Sequence, residues 1–459
     1  MQTTSQLDEC ADTAQPKARL TGKGQPLLLV DENQFESAGK HLVQCRNKVY
    51  GKCAVGVSEI NGSVLPFVHT PIAKIRPAPA AVALVRRHPE IRNIANVSYP
   101  FTQRKPGLAT VLEDSERRAM SWLLNAWSQS ADGGFPHSRC CLLPKNRSWA
   151  PGYPETTGYL IENLLVLNPV FPARQEAVAL RTGEWLCSIQ HRDGWFFSGV
   201  RGRTPSAFNT SMILGGLLQL YQICGQEQAL TAVLRSHRWL ITSIADDGRW
   251  TRGLYRKDYF SAYYARALWL LALADQQLFS GKNRELLQRS FQYLFDLLRR
   301  DPFVNSGFDP GRPSLSHTLA YALEGIAGAG DLLGCSDAVL WVEGMLENIN
   351  ERSLVYGKIP ASFGPGNRVD ASYVLCAGQA QFASLFLKTF LRNRRPPLFE
   401  AGSRWLSDLA ALQQRSNHPA VDGGFYASSP KWKGYFPWRM VNWTNKFFLD
   451  ACNAYRAGI

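Results

Sequence analysis

Between positions 113 and 455 the sequence shows the same pattern six times: a mixed polar and apolar helix, a polar loop with glycine, and a second, more apolar helix. Recurrence at roughly 50–65 residues marks stacked helical hairpins, none of which can bury its apolar face alone. The spacing predicts first helices over 115–129, 175–191, 230–245, 286–300, 336–350 and 399–416, half-exposed on the outside. Second helices are expected over 156–167, 207–224, 260–275, 316–333, 371–390 and 442–457. These are rich in Ala, Gly, Leu and Tyr with little charge, which suits an inner ring buried nearly all round. Four of the connecting loops carry Asp-Gly followed by an aromatic: Asp132-Gly-Gly-Phe135, Asp193-Gly-Trp195, Asp247-Gly-Arg-Trp250 and Asp422-Gly-Gly-Phe425. Glycine supplies the left-handed backbone needed to leave a helix sharply, and the aromatic can plug the gap between units. If the first and last hairpins meet, the fold is an all-α (α/α)6 toroid; if they do not, it is an open superhelix with ends to cap.

The toroid is expected to occupy 109–459. Residues 1–108 lack helical periodicity and read as a small irregular or partly β region, with an extended proline-rich connector over 71–79. Positions 1–18 lack a basic end followed by an apolar run, and no apolar segment is long enough to span a bilayer, so a cytoplasmic protein with no integral membrane segment is expected. Its ten cysteines form no CxxC pair and read as reduced core thiols. Lys and Arg outnumber Asp and Glu by 14. That basic field favours anionic partners such as uronate glycans or acidic lipid surfaces, the latter through peripheral association.

In a toroid the loops leading into the inner helices converge at one end of the ring, where helix N-termini offer free amide donors. Residues at these positions are Tyr153, Glu155 and Tyr159; Asn209; Tyr263; Asp309, Arg312 and His317; Arg368, Asp370 and Tyr373; and Tyr435, Trp438, Asn442 and Lys446. Aromatic faces, carboxyls, amides and cations together are what an acidic sugar requires. Glu155 reads either as a first-turn acid stabilising its own helix or as a general acid whose pKa its aromatic neighbours raise. Asp370 reads as an N-cap or as a second catalytic group, and His317 as a structural histidine or a base. Tyr153 and Tyr373 are candidates to protonate or pack against a sugar, with Arg312, Arg368 and Lys446 to neutralise a uronate. His137 leaves the first outer helix on a side of the ring that the sequence does not specify.

GxGxxG, P-loop, HExxH and GxSxG patterns are absent, as is any nucleic-acid reading module, so no cofactor, metal or nucleic-acid partner is expected. The strings Asp132-Gly-Gly-Phe135, Gly152-Tyr-Pro-Glu-Thr-Thr-Gly-Tyr159, Gly378-Gln-Ala-Gln381, and Tyr435 to Pro437 leading to Asn442-Trp-Thr-Asn-Lys-Phe447 carry a family likeness. The chain resembles the six-hairpin proteins described as prenyltransferase or squalene-oxidase repeat-like, a group associated with bacterial surface-polysaccharide biosynthesis. The DxDD and DDxxD strings of terpene chemistry are missing. What the resemblance and the residues imply together is an enzyme that modifies or cleaves an acidic polysaccharide or lipid-linked glycan, by hydrolase, lyase or uronyl epimerase chemistry. The alternatives are a non-catalytic glycan-binding or assembly component, or a terpene cyclase or prenyltransferase-like enzyme.

Overall fold

A computed structural model describes residues 107–459, apart from positions 145, 146, 167, 168 and 201. The expectation for 1–108 lies outside these residues except for Gly107 and Leu108, which open the first helix. Six helical pairs follow: α1 (Leu108–Ser128) and α2 (Pro154–Leu165), α3 (Pro172–Ile189) and α4 (Ala207–Cys224), α5 (Glu227–Ile241) and α6 (Ala265–Phe279), α7 (Arg284–Arg300) and α8 (Ser316–Leu333), α9 (Ser336–Tyr356) and α10 (Cys376–Asn393), α11 (Pro396–Ala410) and α12 (Asn442–Gly458). Local chemistry sets several ends. Proline occupies the first turn of α2, α3 and α11, where its missing N–H costs nothing, and the Ser206 hydroxyl caps α4 by accepting from the Asn209 amide at 3.1 Å.

The even-numbered helices form the inner ring. Each packs on the next, α2 on α4, α4 on α6, and so on to α12, and α12 packs back on α2. The toroid is therefore closed, and the open superhelix is excluded. The expected inner helices over 207–224 and 316–333 match α4 and α8, and both are buried over most of their length. Closure is fastened on the outside too: Arg118 pairs with Asp422 at 2.9 Å, and the Trp122 indole donates to the Ala420 carbonyl at 3.1 Å.

The Asp-Gly loops repeat one contact around this ring. Gly133, Gly194, Gly248 and Gly423 all have positive φ, 82° to 98°. At the last three a Cβ would fall 2.1–2.5 Å from the backbone of Arg235, Arg289 or Arg118, each on the neighbouring outer helix. Only glycine permits both that turn and that approach. Trp250 fills the gap between units as expected, donating to Ser290 Oγ at 3.0 Å.

Helix α2 meets α4 through Gly158, where a Cβ would lie 2.6 Å from Ile213 Cα. Backbone cannot rotate away, so this clash should cost more than the roughly 1 kcal/mol that alanine gains in helix propensity. Gly158→Ala is thus expected to lower the midpoint of chemical unfolding; an unchanged midpoint would contradict the close approach.

Short antiparallel strands, absent from the sequence expectation, organise the loops at one end: Ser138–Cys140 pairs with Arg439–Val441, Phe196–Phe197 with Pro205–Ser206, and Val374–Leu375 with Ser428–Ser429, while Ser362–Phe363 lies between Ser314–Leu315 and Val369–Asp370. They take residues that the periodicity had assigned to helix, so α10 starts at Cys376 instead of 371. A 3-10 turn over Ala262–Tyr264 likewise delays α6 to Ala265. Among the described residues no helix is long and apolar enough to cross a membrane, and the seven described cysteines are unpaired.

Candidate active site

Two of the sequence strings form one structural unit. Asp132 accepts from the Gly134 amide at 3.2 Å and the Gly152 amide at 3.0 Å, tying the Asp-Gly-Gly loop to the start of the Gly-Tyr-Pro-Glu string. The Tyr153 amide then donates to the Phe135 carbonyl at 2.9 Å and the His137 amide to the Pro151 carbonyl at 3.0 Å. This zipper holds Tyr153 extended, immediately before Pro154, and sets Glu155 in the first turn of α2. The Tyr153 hydroxyl donates to Glu155 Oε2 at 2.5 Å.

Aromatic rings surround the pair. His137 lies 5.2 Å from Tyr153, 5.1 Å from Phe436 and 4.9 Å from Trp443. His317 lies 4.6 Å from Tyr321 and 6.0 Å from Tyr435, and Phe208 bridges Tyr321 and Tyr263 at 5.2 and 5.1 Å. The Glu155 charge is felt by Tyr153, Tyr159, Tyr263, Tyr321 and Tyr435, which places these phenols around a single carboxyl.

The cup perturbs the protons of its carboxyl and its two imidazoles. Burial raises Glu155 to about 7, although the Tyr153 hydroxyl and the Arg266 guanidinium both favour its carboxylate form. Glu155 keeps partial contact with solvent, yet the surrounding protein displaces most of the water that would stabilise its charge. Burial lowers His317 to about 4, with Arg266 assisting and a hydrogen bond to Gln381 opposing. Burial, then Arg439, brings His137 to about 4. Near neutral pH the site therefore holds a carboxyl poised to donate a proton and two uncharged imidazoles. The His317 Nδ1 atom lies 2.5 Å from Gln381 Oε1, an acceptor only, so with the amide in this orientation the proton sits on Nδ1 and Nε2 carries the lone pair.

The inner helices continue the site downward in layers. Glu155 and Glu162 on α2, His317 and Glu324 on α8, and Gln381 and Lys388 on α10 are each seven residues apart, on one helix face, with Tyr159 and Tyr321 between them. The lower layer is an ion-pair network. Arg266 pairs with Glu324, which also binds Lys388 at 3.0 Å; Lys446 binds Glu162 at 2.9 Å and also pairs with Asp450. Arg266 stands 5.2 Å from the Tyr321 ring centre and Lys446 stands 5.8 Å from that of Tyr159. Among the described residues no group of acidic, histidine and cysteine side chains could hold a metal ion.

No protein-family model matches the sequence, and no curated protein matches it. Solved structures share its fold. An unsaturated glucuronyl hydrolase specific for heparin aligns with a TM-score of 0.57 at 14% identity, over 75% of this chain and 97% of that one. A second unsaturated glucuronyl hydrolase, from a Bacillus species, aligns at 0.53 and 15%, over 74% and 96%. Cellobiose 2-epimerase from Bacillus thermoamylovorans aligns at 0.57 and 12%, over 75% and 99%. The neighbours are six-hairpin (α/α)6 enzymes acting on sugars. At these identities the likeness establishes the toroid and leaves the chemistry to the residues.

Of the residues expected at the site, Tyr153, Glu155, Tyr159, Tyr263, His317 and Tyr435 come together. Others do not. Asp370 is exposed and accepts from the Ser372 amide at 2.9 Å and its hydroxyl at 2.5 Å; it caps no inner helix, because Val374 and Leu375 form a strand before α10 begins. Tyr373 is buried against the backbone of Gly434. Asn209 and Asn442 are buried structural amides, donating to the Phe197 carbonyl and to the Pro136 carbonyl and Thr156 Oγ1. Asp309 pairs with Arg256 at 2.6 Å, and Arg312 and Arg368 are exposed. Trp438 stacks on Lys431 at 5.4 Å, away from Glu155's immediate partners. Lys446 belongs to the ion-pair layer. His137 is the residue whose placement the sequence left open; Arg266, Tyr321 and Gln381 are additions.

Proposed function

We propose that the chain is a sugar-modifying enzyme in which Glu155 is the general acid and His317 the base, acting on an acidic glycan. One observation carries the reading: a single carboxyl with a pKa near 7, held by Tyr153 in an aromatic cup whose Tyr321 and Tyr435 rings also contact a neutral histidine. Hydrolysis by paired carboxylates fits less well, because Glu162, Glu324 and Asp450 are committed to Lys446, Arg266 and Lys388. Proton transfer at carbon fits better. His317 Nε2 removes the proton on the carbon next to the uronate carboxylate; Glu155 then either protonates the departing glycosidic oxygen, giving elimination, or returns a proton to the opposite face, giving epimerisation. The motif resemblance supports surface-polysaccharide assembly as the setting, with a polysaccharide or lipid-linked glycan as substrate.

The density of rings favours isoprenoid cyclisation as a second reading. Against it stands the ion-pair layer at the cup's floor, where Arg266, Glu324, Glu162 and Lys446 give an isoprenoid chain a charged surface to fold against.

The acid must be protonated and the base neutral, so activity should rise as pH passes about 4 and fall as it passes about 7. A rate–pH profile on uronate-containing oligosaccharides tests this. A profile flat through pH 7 contradicts the assignment of Glu155 as acid.

A further inference from the structure

Beside His317, on the wall of the cup across from α2, four polar side chains carry hydrogen-bond donors with no partner: Arg266 Nε, Tyr321 Oη, Gln381 Nε2 and Ser384 Oγ. All four residues are buried, with exposures of 2–3%. A buried donor left unpaired is destabilising, so four on one wall are a standing cost to the free protein. They are also related by geometry. Gln381 and Ser384 are one turn apart on the inward face of α10. Tyr321 is one turn beyond His317 on α8. The Arg266 guanidinium reaches over from α6 to lie 5.2 Å from the Tyr321 ring centre. Gln381 is fixed by its contact with His317, and Arg266 by its pairing with Glu324, so each donor left over is held in place. The Tyr321 hydroxyl feels that of Tyr159, but makes no hydrogen bond of good geometry.

Donors without acceptors, one of them on a guanidinium, call for an anion. Resting on the reading of the site as a sugar-modifying centre, we propose that Arg266, Tyr321, Gln381 and Ser384 bind the carboxylate of a uronic-acid residue. The Glu324 pairing already balances the Arg266 charge, so these donors suit the single charge of a carboxylate better than a dianionic phosphate. A sugar whose carboxylate is held on this wall has the adjacent carbon facing His317 and its far side toward Glu155. The exposed Arg312 and Arg368 and the paired Lys446 then have no part in reading the acid group.

Calorimetric titration of the full chain with sodium D-glucuronate, D-glucose and D-glucose 6-phosphate tests the assignment. Glucuronate should bind at least about tenfold more tightly than either other sugar. Tyr321→Phe and Ser384→Ala should each reduce that preference several-fold. Since each removes a donor that is unpaired in the free protein, neither should lower the unfolding midpoint, so loss of binding cannot be ascribed to loss of fold. Glucuronate binding no tighter than glucose, tighter binding of glucose 6-phosphate, or a preference that survives in the double variant would overturn the proposal. Turnover by the unaltered protein, measured beside these titrations, separates it from the catalytic reading. A protein that selects glucuronate but turns over no glycan refutes the enzyme and keeps the pocket; one that turns over neutral glycans without any glucuronate preference does the reverse.

Discussion

Glu155→Gln should reduce turnover of the glycan substrate by about a hundred- to ten-thousandfold while leaving substrate affinity within a few-fold of the parent. Glutamine preserves the volume and can still accept from the Tyr153 hydroxyl, so the cup keeps its shape and loses only the transferable proton. The effect belongs in kcat and should leave KM nearly unchanged. Suitable trial substrates are uronate oligosaccharides, as the proposed acid and base require, with cellobiose as a neutral control. Retention of parental turnover in the variant would remove Glu155 from the chemistry. Tyr153→Phe gives a graded companion. It deletes a hydrogen bond that favours the carboxylate, so Glu155 should titrate higher still and the alkaline limb of the rate profile should move to higher pH.

Lys446→Met is expected to destabilise the fold by about 3–5 kcal/mol in denaturant titration, because it leaves buried charge without a partner. Lys446 is fully buried and serves both Glu162 and Asp450, and Asp450 is itself only 4% exposed. Burial works to raise Glu162, but Lys446 and Lys388 outweigh it and hold the carboxyl at about 2. A depressed pKa of this kind stabilises above the ordinary glutamate range and loses that contribution as pH falls toward 2. Combining Lys446→Met with Asp450→Asn should recover a large part of the loss, since the neutral amide keeps its contact with Asn163. If the single variant unfolds within about 1 kcal/mol of the parent, the bore is not closed by this network.

The architecture was legible because it repeats. Six alternations of amphipathic and apolar helix announced the hairpins, and the Asp-Gly loops marked the turns at Gly133, Gly194, Gly248 and Gly423 with the positive φ that glycine permits. Glu155 was legible as a candidate as well, since the sequence sets it between Tyr153 and Tyr159 where a polar loop enters a helix. What failed was the assignment of polar residues between elements. Asp370 reads as a helix cap only if the helix begins at 371; the strands at Val369–Asp370 and Val374–Leu375 depend on partners at Ser362–Phe363 and Ser428–Ser429, distant in sequence. Lys446 and Arg266 reversed roles for a similar reason. Lys446 lies four residues into the string that begins at Asn442 and looked available, whereas Arg266 was not among the residues singled out. Both cations pair with carboxylates, Lys446 with Glu162 on α2 and Arg266 with Glu324 on α8, and local pattern carries no trace of which one keeps a donor free. The spacing of seven that stacks Glu155 over Glu162, His317 over Glu324 and Gln381 over Lys388 was present in the sequence, and is the signal that could have located the inward faces.

The protonation of Glu155 is the point on which the proposed catalysis turns. Infrared difference titration of the intact protein, with Glu155→Gln subtracted to isolate that one carboxyl, reads it directly. The carboxyl band should persist through pH 6 and disappear with a midpoint of about 7. A midpoint at the ordinary 4.5 would mean an ionised, solvated carboxylate with no proton to give at neutral pH, and would contradict the account.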